Sequence, residues 1–435
     1  MRTLVASHIV GSLAGDLTEI AAQSADLYLT RGVRKEIISA RLFWDGGPVR
    51  EPVRQAGLHA ITMAAVLRTE DDSTGQILAD ELESAGVSAE WGVRDSACHL
   101  ELRAPREYLR RALPVMLDRL TTIAISGREV AAATAIVRHE LDRRRQDVRS
   151  VAVDALRSSR FRAGSRLAAP PAGTAEGVEA VTAQDVVAAG VRLVWGTRLR
   201  VLIAGDDDTA AYGACIGRGR AVAAEPAYAA PWASLDDLAA SPEAEVVSDW
   251  DLSDQAHLLW GVVTQLEDAA DFAALEVAMH ILGGWAGSRW HALFRERLGY
   301  SYGTHAAVQK IGLGEHLLGM GYAGLSVAMG ALPHALDLIR AESAALPESL
   351  LPAELATACT QLLRSEALVR DSARGLIASA ADCLQGGLRP SFAADRIAVL
   401  RGADVRDIAS RLPRLLSEPT LVIVGPQTSI GDCSQ

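Results

Sequence analysis

An internal repeat restricts the folds open to this 435-residue chain more than any other feature of its sequence. Ala40-Arg41-Leu42-Phe43-Trp44 returns as Ala256-His257-Leu258-Leu259-Trp260, 216 positions later, each copy with the alternation of a half-buried strand. TRLRVLIAGD, ending at Gly205 and Asp206, is echoed around Gly425 by PTLVIVGP at an offset of 220. Thr182-Ala183-Gln184-Asp185-Val186 is matched by Gly402-Ala403-Asp404-Val405, an offset of 219 when Asp185 is set on Asp404. Three matches at nearly one offset imply a duplicated unit. The first pair is expected to open each half and the second to close it.

Between these landmarks the spacing of apolar residues is helical. Leu109, Leu113, Met116, Leu117 and Leu120 form one stripe, and Phe272, Leu275, Met279 and Leu282 another, which Gly283 and Gly284 should end. Ser126 with Glu129 reads as a capping box opening a helix that runs through Glu140 to the RRRQD segment. Residues 221–236 are rich in Ala and Pro without periodicity, as a connector is. The expectation is an α+β protein of two homologous halves, 1–220 and 237–435, each an antiparallel sheet covered by helices.

Composition excludes several classes. Apolar residues make up 49% and charged residues 22%, a balance that supports a large packed core rather than a disordered chain. A net charge of −11 without a clustered basic face argues against a nucleic-acid partner. No apolar run is long enough to span a membrane. The start of the chain is interrupted by His8, Asp16 and Glu19, unlike a secretory signal. Cys98, Cys215, Cys359, Cys383 and Cys433 are odd in number and scattered, which reads as reduced thiols in a cytoplasmic protein.

The most specific signal lies in the second half. The run 282–302, LGGWAGSRWHALFRERLGYSY, looks like the L-G-G-G-x-x-S-R-L-x-x-x-L-R-E-x-x-G-x-x-Y block of pitrilysin or insulinase-type zinc peptidases, which include the mitochondrial processing peptidase and its bacterial relatives. In the first half the strand Ile38 to Trp44 is followed by Gly46 and Gly47 and then by Gly57-Leu58-His59-Ala60-Ile61-Thr62-Met63. That stretch is similar to the family's G-L-A-H-x-x-E-H inverted zinc motif. The resemblance implies one wall of a clamshell built from the two halves.

His59 stands where the resemblance places the first zinc ligand, Thr62 where it places the general base, and Met63 where it places the second His. Glu140, 77 positions after Met63, falls near the third ligand. A threonine hydroxyl is not basic at neutral pH, and a thioether is a soft ligand poorly suited to zinc. His59 then reads as a hydrogen-bonded helix histidine and Glu140 as a solvated helix carboxylate. No zinc or other cofactor is expected in this chain, and no hydrolysis by it alone.

In the family block an Arg and a Tyr seven positions apart contact the substrate peptide, and Arg295 and Tyr302 match them. A guanidinium and a phenol are directed donors suited to a peptide carbonyl. Taken singly, Arg295 reads equally as a surface helix residue and Tyr302 as a strand packer; Arg297 and Tyr300 are second choices for the pair. The resemblance therefore implies the non-catalytic, substrate-binding subunit of a heterodimeric metallopeptidase. A homologous H-x-x-E-H subunit would supply zinc and base, and the substrates would be extended peptides such as leader peptides of ribosomally made natural products. The competing expectation is an inert scaffold of the same fold, like core subunits of the respiratory complex.

Overall fold

The computed structural model describes residues 17–21, 25–30, 35–69, 77–121, 125–195, 197, 199–206, 208, 212, 234–239, 242–313, 316–385, 388–389 and 391–426. Most of the expected connector, 221–233, lies outside the described residues, as do Cys215, Cys433 and the first sixteen positions. The described residues fall into two compact units. One is drawn from the chain up to 141, from 169–233 and from 366–394; the other from 142–168, 234–365 and 395 onward.

The first unit is built on a six-stranded sheet ordered β1-β2-β6-β3-β5-β4. Its strands are β1 (Leu17–Ala21), β2 (Ala25–Thr30), β3 (Ile37–Asp45), β4 (Ser88–Arg94), β5 (Ala97–Pro105) and β6 (Leu199–Ala204). Interior β3 is buried almost end to end, which its run of Ile38, Leu42, Phe43 and Trp44 makes favourable. Arg41 and Glu101 face each other directly across β3 and β5 and form a buried ion pair, so neither charge is left uncompensated. The helix Arg106–Thr121 brings its five stripe residues into the same core as β3 and β5.

The second unit has a five-stranded sheet, β7-β11-β8-β10-β9. The strands are β7 (Glu245–Asp249), β8 (Gln255–Leu266), β9 (Thr304–Leu313), β10 (His316–Ala328) and β11 (Thr420–Gly425). The helix Ala269–Gly283 packs on β9 and β10 and is capped at Gly284, as its stripe predicts. Fully buried Asp271 fastens its first turn: it accepts from the Glu267 N–H and from the guanidinium groups of Arg411 and Arg414 on the helix Val405–Leu415. Burial opposes charge on Asp271, but these donors outweigh it and hold the carboxyl below its ordinary range.

The α+β architecture expected from the repeat is present, with one parallel pair in each sheet, β2 with β6 and β7 with β11. Two details differ from the sequence reading. The Ala40 and Ala256 strands do not open the halves: β1 and β2 precede the first and β7 the second. The paired helix starts also align three residues differently, because Thr182 and Asp404 are the two N-caps.

A third feature left no mark in the sequence pattern. In the second unit the helix Val148–Arg160, from the first half of the chain, lies on β8 and β11. In the first unit the helix Ala373–Gln385, from the second half, lies on β3 and β6. Gly261 on β8 permits the first of these: a Cβ there would come within 2.5 Å of Leu156. No described helix is long and apolar enough to cross a membrane.

Candidate functional site

The segment resembling the zinc motif forms a helix, Leu58–Val66, entered through Gly57 at φ 116°, a left-handed conformation that costs glycine little. Every residue of this helix is buried. Its opening N–H groups are taken by a residue the sequence reading missed. Glu51 accepts from the N–H of Gly57 (3.0 Å) and of His59 (2.5 Å), and its Oε1 lies 3.3 Å from His59 Nδ1. A carboxylate at a helix N-terminus meets unpaired donors and the positive end of the helix dipole. Glu51 is 5% exposed and lies six positions before Gly57, outside the usual capping window, so no local pattern announces it. Burial and the charge of Glu51 together push the nearby Cys98 thiol well above its usual range.

His59 is thus engaged as a helix histidine, 1% exposed. Thr62, fully buried, turns its hydroxyl back to donate to the Leu58 carbonyl at 2.8 Å, and its methyl lies 3.7 Å from where a Cβ on Gly190 would stand. Met63 is packed in the sheet core with Leu100, Leu102 and Trp44. Glu140 is half-buried on the helix Gly127–Arg145, which opens with the expected Ser126–Glu129 capping box. Among the described residues no group of three or more His, Cys, Asp or Glu side chains could hold a metal ion. The donors at these four positions do not fit a catalytic zinc: His59 faces Glu51, Thr62 is bonded to its own helix, Met63 is in the apolar core and Glu140 stands on a separate helix.

The second candidate pair has a different setting. Residues 291–297 form a wide helical turn that closes with the Leu298 N–H bonded five residues back to Leu293, a geometry frequent at functional positions. Gly299, at φ 65°, reverses the chain, and the N–H groups of Tyr300 and Ser301 both reach the carbonyl of Phe294. Phe294 is fully buried edge-on to Trp290, so the turn rests on a fixed aromatic pair. Arg295 projects from this turn and is exposed.

Beyond it, Ser301 Oγ donates to the Gly303 carbonyl and accepts from the Gly303 N–H, and Thr304 Oγ1 donates to the Gly283 carbonyl. Tyr302 sits between these anchors with 91% of its surface exposed. It precedes β9 and packs in no strand. The second choices differ from it: Tyr300 Oη is 3.1 Å from His334 Nδ1, and Arg297 is exposed at the end of the turn. Upstream, Arg289 is held by both oxygens of Glu354 and by Ser349, which fixes the GSR corner of the block.

Residues 232–362, which include this block, match the family described as the Peptidase M16 inactive domain. Among solved structures, the chain is similar to a peptidase M16 inactive domain from Pseudomonas fluorescens, with 17% identity, 94% of this chain and 98% of that one covered, and a TM-score of 0.79. A protease from Helicobacter pylori is similar at 12% identity, 94% and 99% coverage and a TM-score of 0.79. A chain of complex III2 from Candida albicans is similar at 15% identity, 94% and 95% coverage and a TM-score of 0.73. No curated protein matches the chain. Residues 232–362 thus match the Peptidase M16 inactive-domain family, and the chain shares the fold of these M16-type structures along nearly its whole length.

Proposed function

We propose that this chain is the substrate-gripping, non-hydrolysing subunit of a two-chain zinc peptidase. A homologous partner with an intact H-x-x-E-H motif would supply the zinc and the general base. Arg295 and Tyr302 would hold the scissile segment of an extended peptide and donate hydrogen bonds as charge develops on its carbonyl oxygen.

The observation that carries this reading is the exposure of Tyr302 on an anchored turn. A phenol that is 91% exposed contributes little to this chain's own packing, while the backbone on both sides of it is fixed by hydrogen bonds. Such a side chain is pre-positioned for something outside the chain. The first half supports the same division of labour, because its motif positions are absorbed into packing.

The substrates we favour are unfolded peptides, leader peptides of ribosomally made natural products among them, and the compartment is the cytoplasm, in keeping with the free thiols of Cys98, Cys359 and Cys383. The test is reconstitution with an H-x-x-E-H homologue: Arg295→Ala and Tyr302→Phe should each cut turnover while leaving assembly intact. The similarity to a complex III2 chain favours a second reading, an inert scaffold. Under that reading both substitutions would leave every property of the assembly unchanged.

A further inference from the structure

In the second unit, a cavity of about 320 Å³ opens between the start of the helix Val148–Arg160 and the face of β9 and β10. Its walls include Arg144, Arg149 and Ser150 on one side and His305, Gln309 and Tyr322 on the other. Of the two guanidinium groups that line it, Arg144 is neutralised by Asp154, which leaves Arg149 as the cation set against the lining carboxylate of Asp147.

Each charge can be followed. Asp147 is the N-cap of the helix and accepts from the Ser150 N–H (3.1 Å) and hydroxyl (2.7 Å), so the helix end is already closed. Arg144 is paired with Asp154 at 2.8 Å. The Arg149 guanidinium is exposed and forms no ion pair within 4.0 Å among the described residues, while the Arg149 backbone N–H is directed to the Asp147 carboxylate. The far wall is neutral and polar. Gln309 Nε2 donates to the Tyr322 hydroxyl at 3.3 Å, and the His305 ring lies over Gly324, where a Cβ would meet its Cε1 at 2.7 Å.

His305 stacks on His257 with ring centroids 5.3 Å apart, and His257 Nδ1 is 2.9 Å from Ser326 Oγ. The Nε2 atoms of both rings are buried without a hydrogen-bond partner among the described residues. Burial, with the Arg149 charge, lowers His305 to about 4, and burial, with His305 and Arg149, lowers His257 to about 3. Both imidazoles are therefore neutral at pH 7 and can exchange hydrogen bonds without competing for an anion.

We infer that this cavity binds the free C-terminal residue of a peptide, with Arg149 pairing its carboxylate. Gln309, Tyr322 and Ser150 offer the amide and hydroxyl groups that a terminal peptide unit needs, and the volume admits one or two residues rather than a folded partner. Inorganic phosphate shares the oxyanion chemistry but would leave the neutral polar wall unused. The inference does not depend on Arg295 and Tyr302, which do not line the cavity.

The test is calorimetric titration of the isolated full-length chain with acetyl-tetraalanine, its C-terminal amide and inorganic phosphate. The free acid should bind about three- to fivefold tighter than the amide, the size of effect that an exposed ion pair gives. Arg149→Gln, at an exposed position, should abolish that preference with the melting temperature unchanged, and Gln309→Ala should weaken acid and amide alike. Equal binding of acid and amide, an undiminished preference in Arg149→Gln, or phosphate binding tighter than the peptide acid would each overturn the inference. Because no partner and no turnover enter the measurement, its failure is separable from failure of the two-chain peptidase reading.

Discussion

The Oε1 atom of Glu51 lies 3.3 Å from Nδ1 of His59, and the same carboxylate closes the helix on which His59 sits. The imidazole that resembles a first zinc ligand is thus part of a helix-capping arrangement. Removing the carboxylate should cost stability rather than any metal-dependent property. Glu51→Ala is expected to destabilise the chain by about 2–4 kcal/mol, since it strips charge-assisted hydrogen bonds from buried N–H groups. Urea denaturation of wild type and variant measures this directly.

Rebuilding the motif should fail. Thr62 and Met63 are both fully buried, Thr62 beside Gly190 and Met63 in the sheet core, so Thr62→Glu with Met63→His would introduce a buried carboxylate and imidazole into packed apolar surroundings. The double variant should lose about 3 kcal/mol or more. Metal analysis after dialysis against zinc should find no stoichiometric zinc.

Acid should weaken the fold earlier than its carboxylates alone would. His257, His305 and His99 are held at about 3, 4 and 3 by burial, with nearby positive charge for each: Arg149 for the first two, Arg41 and Arg94 for His99. Their folded values lie below the ordinary histidine value of about 6.5, so between that value and about 4 the unfolded chain binds protons that the folded chain does not. Stability therefore falls as pH falls through that window. From pH 7 to 5.5, His257 alone should account for about 1 kcal/mol, with the other two acting in the same direction. Denaturation at the two pH values, repeated on His257→Asn, would show the smaller slope in the variant.

Much of the architecture was legible because the repeat carries it. Ala40 to Trp44 and Ala256 to Trp260 lie in corresponding central strands, and the Ser126–Glu129 cap and both apolar stripes fall where their spacing put them. The exchange of helices Val148–Arg160 and Ala373–Gln385 was not legible, since an amphipathic helix shows that it needs a sheet but not which sheet. Glu51 escaped for a related reason: it reaches the helix start through a loop, not through the local cap spacing. Arg295 and Tyr302 were singled out by their block alone, and the strand-packing alternative for Tyr302 does not survive its 91% exposure. Nothing in one dimension predicts that exposure.

Arg295 and Tyr302 are both exposed, so their replacement should leave the melting temperature of this chain within about 1 °C of wild type. In a reconstituted peptidase the loss of one directed donor to a developing oxyanion corresponds to roughly 10²–10³ in turnover. The central measurement is cleavage of an unstructured fluorogenic peptide by this chain, by an H-x-x-E-H homologue and by their mixture. The account predicts hydrolysis by the mixture, little by either chain alone, and a loss of about 10² or more when Arg295→Ala or Tyr302→Phe replaces wild type. Chelator-sensitive cleavage by this chain alone, or undiminished turnover with both variants, would contradict it.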